Sequence, residues 1–118
     1  MKKWEAKMEH ELTERDGSLI VGFSGDVDLQ SSPEARKILL ECVARKMPVL
    51  VDLSGVNYID SSGIASLVES LQTARKGGGN LVLVSVSEAA LRVLELARLD
   101  KVFTICGSID EGLEKASS

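Results

Sequence analysis

Histidine and cysteine are scarce in this chain: His10 is the only imidazole, and Cys42 and Cys106 are the only thiols, among 118 residues. One histidine and two distant cysteines do not make a zinc set, so no metal is expected. A secreted domain leaning on disulfides would carry more cysteine. Cys42 falls in a helical pattern and Cys106 at the end of a strand, so both read as reduced, small core residues of a cytoplasmic protein. Long apolar runs are missing too. The most apolar stretch, Leu81 to Val86, has strand length and falls far short of the roughly 20 residues a membrane-spanning helix requires. The N-terminal MKKWEAKMEHE has lysines but no apolar segment behind them, so it does not read as a signal peptide, and no membrane insertion is expected. Basic residues are outnumbered: 14 Lys and Arg against 18 Asp and Glu leave a net charge of -4. That is the wrong sign for a nucleic-acid partner. Walker A, Gly-x-Gly-x-x-Gly and Gly-x-Ser-x-Gly sequences are all absent, which removes the usual signs of a nucleotide cofactor or a serine hydrolase.

What is present suits one globular domain. The chain is long enough for a single core, and 44% hydrophobic with 27% charged residues is ordinary. Trp4, Ala6, Met8, His10 and Leu12 alternate with mostly charged residues, which predicts a half-buried strand. Arg15-Asp16-Gly17 makes a turn, and Leu19, Val21 and Phe23 pair back as a hairpin. The chain is expected to leave the sheet at Gly25-Asp26-Val27-Asp28. Ser31-Ser32-Pro33-Glu34 starts a helix, either as a Ser31/Glu34 capping box or with Ser32 as the cap. Ala35, Ile38, Leu39, Cys42 and Val43 follow at helical spacing, and Pro48 stops the helix. Val49 to Leu53 reads as a strand buried on both faces. A helix from about Ser62 to Lys76 carries Ile64, Leu67, Val68 and Leu71. Leu81 to Val86 is the next strand. Ser87 caps a helix striped by Ala90, Leu91, Leu94 and Ala97. Val102 to Ile105 is a short strand, and a last helix starts at Ser108 and reaches Lys115. The order, a β-hairpin and then alternating helices and strands, predicts an α/β domain with a mixed, mostly parallel sheet and about four helices.

Function in such sheets collects at the carboxyl ends of the strands. Two polar connections leave there, Gly25 to Ser32 and Ser54 to Gly63. If their strands are neighbours, Asp26, Asp28, Asp60, Ser61 and Ser62 come together. The second connection runs into Asp60-Ser61-Ser62-Gly63 and then a helix. Unpaired N–H groups and the positive end of the helix dipole suit an anion, or a serine that becomes one. Four readings are open: a catalytic serine, a phosphate-binding site, a regulated serine and a plain helix cap. A nucleophilic serine needs a base in reach. The one histidine lies on the N-terminal strand, and no lysine lies near the motif. Gly77-Gly78-Gly79 precedes a strand, so it sits at the wrong end of the sheet to cradle a phosphate there. A cap explains Asp60 or Ser61 alone, but does not require two adjacent hydroxyls.

Longer stretches carry a resemblance. Gly25-Asp26-Val27-Asp28, Val51-Asp52-Leu53-Ser54-Gly55-Val56 and Ile59-Asp60-Ser61-Ser62-Gly63-Ile64 are landmarks of it. So are Gly77-Gly78 before Leu81-Val82-Leu83-Val84, and Val93-Leu94-Glu95-Leu96 leading to Leu99-Asp100-Lys101-Val102-Phe103. From about Leu12 to Leu113 the chain resembles a STAS domain of the anti-sigma factor antagonist kind. The resemblance implies a non-enzymatic, cytoplasmic regulator that fills the whole chain as one domain. It implies phosphorylation at the second serine of the pair, here Ser62, with Asp28, Asp60, Ser61, Gly63 and Asp26 shaping the site or meeting the partner. The implied partner is an anti-sigma factor that is also a serine kinase with a histidine-kinase-like ATPase fold. The unphosphorylated form captures it and frees the sigma factor, phosphorylation breaks the complex, and a serine phosphatase restores it. An alternative is a STAS subunit partnering an ABC-type lipid transporter ATPase, in which a less complete Asp-Ser-Ser-Gly motif would be expected. The lack of a transmembrane part speaks against the tail of an anion transporter.

Overall fold

The hairpin at the start of the chain sets the edge of the sheet. In the computed structural model, which describes residues 8–116, β1 (Glu9–Arg15) and β2 (Ser18–Val27) pair antiparallel from Arg15↔Ser18 to Glu9↔Ser24. The turn residues Asp16 and Gly17 have φ of 54° and 81°, the left-handed pair that matches strand twist in two-residue hairpins. Seven more elements follow in alternation: α1 (Ser32–Ala44), β3 (Val49–Ile59), α2 (Ser61–Lys76), β4 (Leu81–Val84), α3 (Glu88–Leu96), β5 (Thr104–Cys106) and α4 (Ile109–Ala116). The sheet order is β1-β2-β3-β4-β5, with every pairing after the hairpin parallel. This is the predicted mixed α/β sheet with an N-terminal hairpin and helical crossovers.

Both faces of β3 and β4 are covered, which explains their continuous apolar runs. Val49, Val51, Leu81 and Leu83 join the larger core with Leu39 of α1, Leu67 and Leu71 of α2, and Leu94 of α3. Leu50, Val82 and Val84 point the other way and meet Ile109, Leu113 and Ala116 of α4. Complete burial of a Leu or Val side chain stabilises by about 1.5–3 kcal/mol, so these runs dominate the fold's energetics. α1 and α2 are clamped at their exposed sides by Arg36, whose Nε and Nη2 donate to the two oxygens of Glu69 at 2.7 Å each.

Several boundaries differ from the sequence-based expectation. β1 begins at Glu9 and is exposed along its whole length instead of half-buried. Helices pack on β2, β3, β4 and β5, and the rim strand lies outside their cover. Trp4 and Ala6 lie outside the described residues. β2 continues through Asp26 to Val27, because Gly25 (φ 87°) takes up a register shift that a side chain would resist. β3 runs on past Leu53 to Ile59, with Leu53, Val56 and Ile59 buried at every third position. Shifts in register against β2 produce that spacing, so strict alternation fails as a guide. β4 stops at Val84, β5 begins at Thr104, and Ala97 is exposed beyond the end of α3.

Candidate functional site

β2 and β3 are parallel neighbours and end together. Val27 pairs with Ile59, and the Asp60 N–H donates to the Val27 carbonyl at 3.2 Å. The starts of α1 and α2 therefore sit side by side at the carboxyl edge of the sheet, which brings Asp26, Asp28, Asp60, Ser61 and Ser62 into one neighbourhood.

Asp60 caps α2. Its backbone is extended, and its Oδ1 accepts from the N–H of Ser62 at 2.9 Å and of Gly63 at 3.2 Å. The Ser62 hydroxyl donates to the same oxygen at 2.5 Å. That hydroxyl is the main cause holding the Asp60 carboxyl below its ordinary pKa. Partial burial opposes it, and the N–H groups of Gly63, Ser62 and Leu29 add to it. Ser62 is half-buried in the first turn and Ser61, one residue earlier, is exposed. Gly63 is buried where α2 presses on the ends of both strands. A Cβ there would lie 2.7 Å from the Val27 carbonyl oxygen and 2.7 Å from Ile59 Cγ1. Only glycine lets the helix start this close to the sheet.

The neighbouring start of α1 is built differently from expectation. Ser31 is the residue before the helix and Pro33 lies in its first turn, yet no capping box forms. The Ser31 hydroxyl donates instead to the Asp26 carbonyl at 2.8 Å and accepts from the Asp28 N–H at 3.0 Å. The Asp28 carboxylate accepts from the N–H groups of Gln30 and Ser31, both at 3.1 Å. Asp28 is thus turned into its own loop, and Asp26 enters the arrangement through its main chain. Two apolar side chains flank the site that no periodicity marked. Leu29, on the loop, is 74% exposed, and Tyr58, paired with Asp26 near the end of β3, is 51% exposed. Their signal in the sequence was only that each is a large apolar residue beside turn-forming polar ones.

A family model described as STAS domain matches residues 9–112. The chain belongs to the STAS domain family. This STAS domain is similar to the anti-sigma-B factor antagonist of Bacillus subtilis strain 168, at 24% identity over 104 residues, spanning 88% of this chain and 95% of that one. Its fold matches the crystal structure of an anti-sigma factor antagonist from Mycobacterium paratuberculosis with a TM-score of 0.86, at 24% identity over 95% of this chain and 96% of the other. It also matches the Bacillus cell fate determinant SpoIIAA in its phosphorylated form, with a TM-score of 0.70, at 13% identity over 91% and 98% of the two chains. The relatives named above are anti-sigma factor antagonists, which are regulatory proteins, while the same fold also occurs in a sulfate transporter family protein from Wolinella succinogenes, with a TM-score of 0.73 at 20% identity over 89% and 88% of the two chains.

Chemically, the turn of this STAS domain offers two hydroxyls, that of exposed Ser61 and that of half-buried Ser62, and the bond to Asp60 fixes the direction of the second. Among the described residues no group of three or more His, Cys, Asp or Glu side chains could hold a metal ion, and no helix is long and apolar enough to cross a membrane. A surface groove of about 460 Å³ lies elsewhere, on the sheet face between Glu9, Glu11, Ser24 and Asp52.

Proposed function

We propose that this STAS domain is an anti-sigma factor antagonist of the cytoplasm that works as a phosphorylation switch on Ser62, and is itself a substrate and not an enzyme. The observation that carries the reading is the hydrogen bond from Ser62 to Asp60, which holds a half-exposed hydroxyl at the positive end of α2. Unphosphorylated, the domain captures an anti-sigma factor that is also a serine kinase, and so frees the sigma factor. Leu29 and Tyr58 supply apolar contact beside the serine, and Asp28 and Asp26 hold the loop that presents Leu29. In the kinase step the Ser62 oxygen bonds to the terminal phosphorus of ATP, the bond to the bridging oxygen breaks, and ADP leaves. The hydroxyl proton passes to a base of the kinase, because Asp60 is too weakly basic to keep it.

Phosphorylation deletes the proton that Ser62 gives to Asp60 and adds a charge of about -1.5 to -2. A carboxylate and a phosphate cannot share that contact, so the phosphoserine swings away from Asp60. Asp60 keeps its backbone N–H donors, and the helix dipole favours the added charge by about 0.3–1 kcal/mol. The domain therefore stays folded, in keeping with its similarity to SpoIIAA in a phosphorylated form. A partner surface docked over the turn has no such compensation, since like charges brought together there cost several kcal/mol. A penalty of about 3 kcal/mol loosens a complex by more than a hundredfold. A serine phosphatase then restores the hydroxyl.

Incubation with the cognate kinase and ATP tests this directly. The wild type and Ser61→Ala should take up phosphate, and Ser62→Ala should take up none while still binding the kinase. Equal incorporation into Ser62→Ala would remove Ser62 from the mechanism, and a pull-down recovering only a transporter ATPase would replace the switch with a structural role.

A further inference from the structure

The outer edge of β1 points to an interaction surface that the switch does not use. β1 is the rim of the sheet, exposed over all seven residues, and among the described residues only β2 pairs with it. The two-residue turn makes Arg15↔Ser18 a hydrogen-bonded pair. Alternation along an antiparallel ladder then directs the N–H and C=O groups of Thr13, Glu11 and Glu9 toward β2. Those of Glu14, Leu12 and His10 face outward, and among the described residues no strand meets them. Charges on an edge normally block strand addition, because like charges meet across the new pair. Here they do the opposite for one partner.

The geometry points to a second copy of this chain, paired antiparallel through β1 about a two-fold axis at Leu12. Glu9-His10-Glu11-Leu12-Thr13-Glu14-Arg15 is complementary to itself in that register. Glu9 faces Arg15, His10 faces Glu14, Glu11 faces Thr13, and Leu12 faces Leu12. All seven positions are paired, and the three outward-facing residues meet their own kind of position, giving about six new backbone hydrogen bonds. Leu12 is 43% exposed in the single chain and becomes the apolar centre. Arg15 is already steadied by Asp110 at 2.7 Å, and Glu14 lies 3.4 Å from Arg45. Arg15 still has guanidinium N–H groups to share with Glu9 of the other copy. Sliding one strand by two residues sets Glu11 against Glu11 or Leu12 against Glu14, and shortens the ladder, so the centred register is preferred.

Such a pair joins two five-stranded sheets into one continuous sheet. The reversed strand directions put the two Ser62 turns at opposite ends, both clear of the contact. A single strand edge buries less than the roughly 1,000 Å² of a standing interface, so the dimer is weak and forms as concentration rises.

Sedimentation of the full chain from ~10 µM to ~1 mM tests the proposal. The wild type should pass from monomer toward dimer in the upper part of that range. Leu12→Lys, which puts two ammonium groups on the axis, should stay monomeric. Arg15→Glu should weaken association about tenfold, by setting acid against acid twice, and Glu9→Arg combined with Arg15→Glu should restore it. Amide exchange of the wild type gives a readout independent of any variant. The N–H groups of His10, Leu12 and Glu14 should become protected as concentration rises, while those of Glu11 and Thr13 are protected throughout. A wild type that remains monomeric at ~1 mM, a dimer indifferent to Leu12→Lys, or protection of those three amides that ignores concentration would overturn it.

Discussion

Two helices start side by side at the carboxyl edge of this sheet, and each start joins an aspartate to a nearby serine. At α1 the Ser31 hydroxyl both donates, to the Asp26 carbonyl, and accepts, from the Asp28 N–H. Its bonding is used up inside the loop, and the residue is scaffold. At α2 the Ser62 hydroxyl donates to the Asp60 carboxylate, a side chain, and not to the main chain of a folded-back loop. It remains aimed, half-exposed and reachable. The same pair of residue types therefore makes a fastening in one place and a presented group in the other. What separates them is whether the loop before the helix folds back over the serine. Asp28-Leu29-Gln30-Ser31 does, and Asp60, arriving directly from β3, leaves no loop to do so.

The sharpest way to break the comparison is at the contact between helix and sheet. Gly63→Ala should lower stability by about 3 kcal/mol, since the new Cβ meets a backbone carbonyl that cannot retreat. Glu34→Ala, at the corresponding turn of α1, should change it by less than ~0.5 kcal/mol, because Glu34 is exposed. Urea unfolding of both variants measures the difference, and similar losses would mean that the two helix starts are held alike.

The serines come next in size. Ser31→Ala should cost about 1–2 kcal/mol, because it strands the Asp28 N–H and the Asp26 carbonyl. Ser62→Ala should cost at most about 1 kcal/mol, because Asp60 keeps its backbone N–H donors. Thermal unfolding of the pair reads this directly, and a reversed order would show that Ser62 is the structural serine.

The smallest effect is electrostatic. Asp60 is held below its ordinary pKa, so its contribution is complete above the unfolded carboxyl value of ~4 and disappears as pH falls through its depressed native value. Asp60→Asn can still accept from the helix N–H groups but has no charge to lose. It should cost a few tenths to 1 kcal/mol at pH 7, and its stability should fall less between pH 5 and 2 than that of the wild type. Parallel acid limbs in the two stability profiles would refute the assignment.

Much of this was legible from residue order. Apolar runs at Val49 to Val51 and Leu81 to Val84, the helical spacing of Ile64, Leu67 and Leu71, and Ser87 as the cap of α3 all follow from periodicity and local hydrogen-bonding chemistry. Residue order offered Asp60 or Ser61 as the cap of α2, and the structure gives the position to Asp60, with Ser61 already inside the helix. The length of β3 was not legible, because bulges against β2 changed which positions face inward. The exposure of β1 was hidden because alternation reports which side chains share a face, not whether anything covers it. Ser31 matched a capping box in spelling, yet the folded-back loop offered its hydroxyl better partners than the helix did.

The sequence by itself determined the kind and order of the elements, the apolar runs buried on two faces, and the polar turn at Asp60-Ser61 that opens α2. Each depends on neighbours a few residues apart, whose geometry backbone chemistry dictates. Only the tertiary structure decided that β2 and β3 lie together, so that the starts of α1 and α2 share one edge. It alone separated Ser31 from Ser62, because whether a hydroxyl is spent or offered depends on which distant backbone groups the packing brings within 3 Å of it.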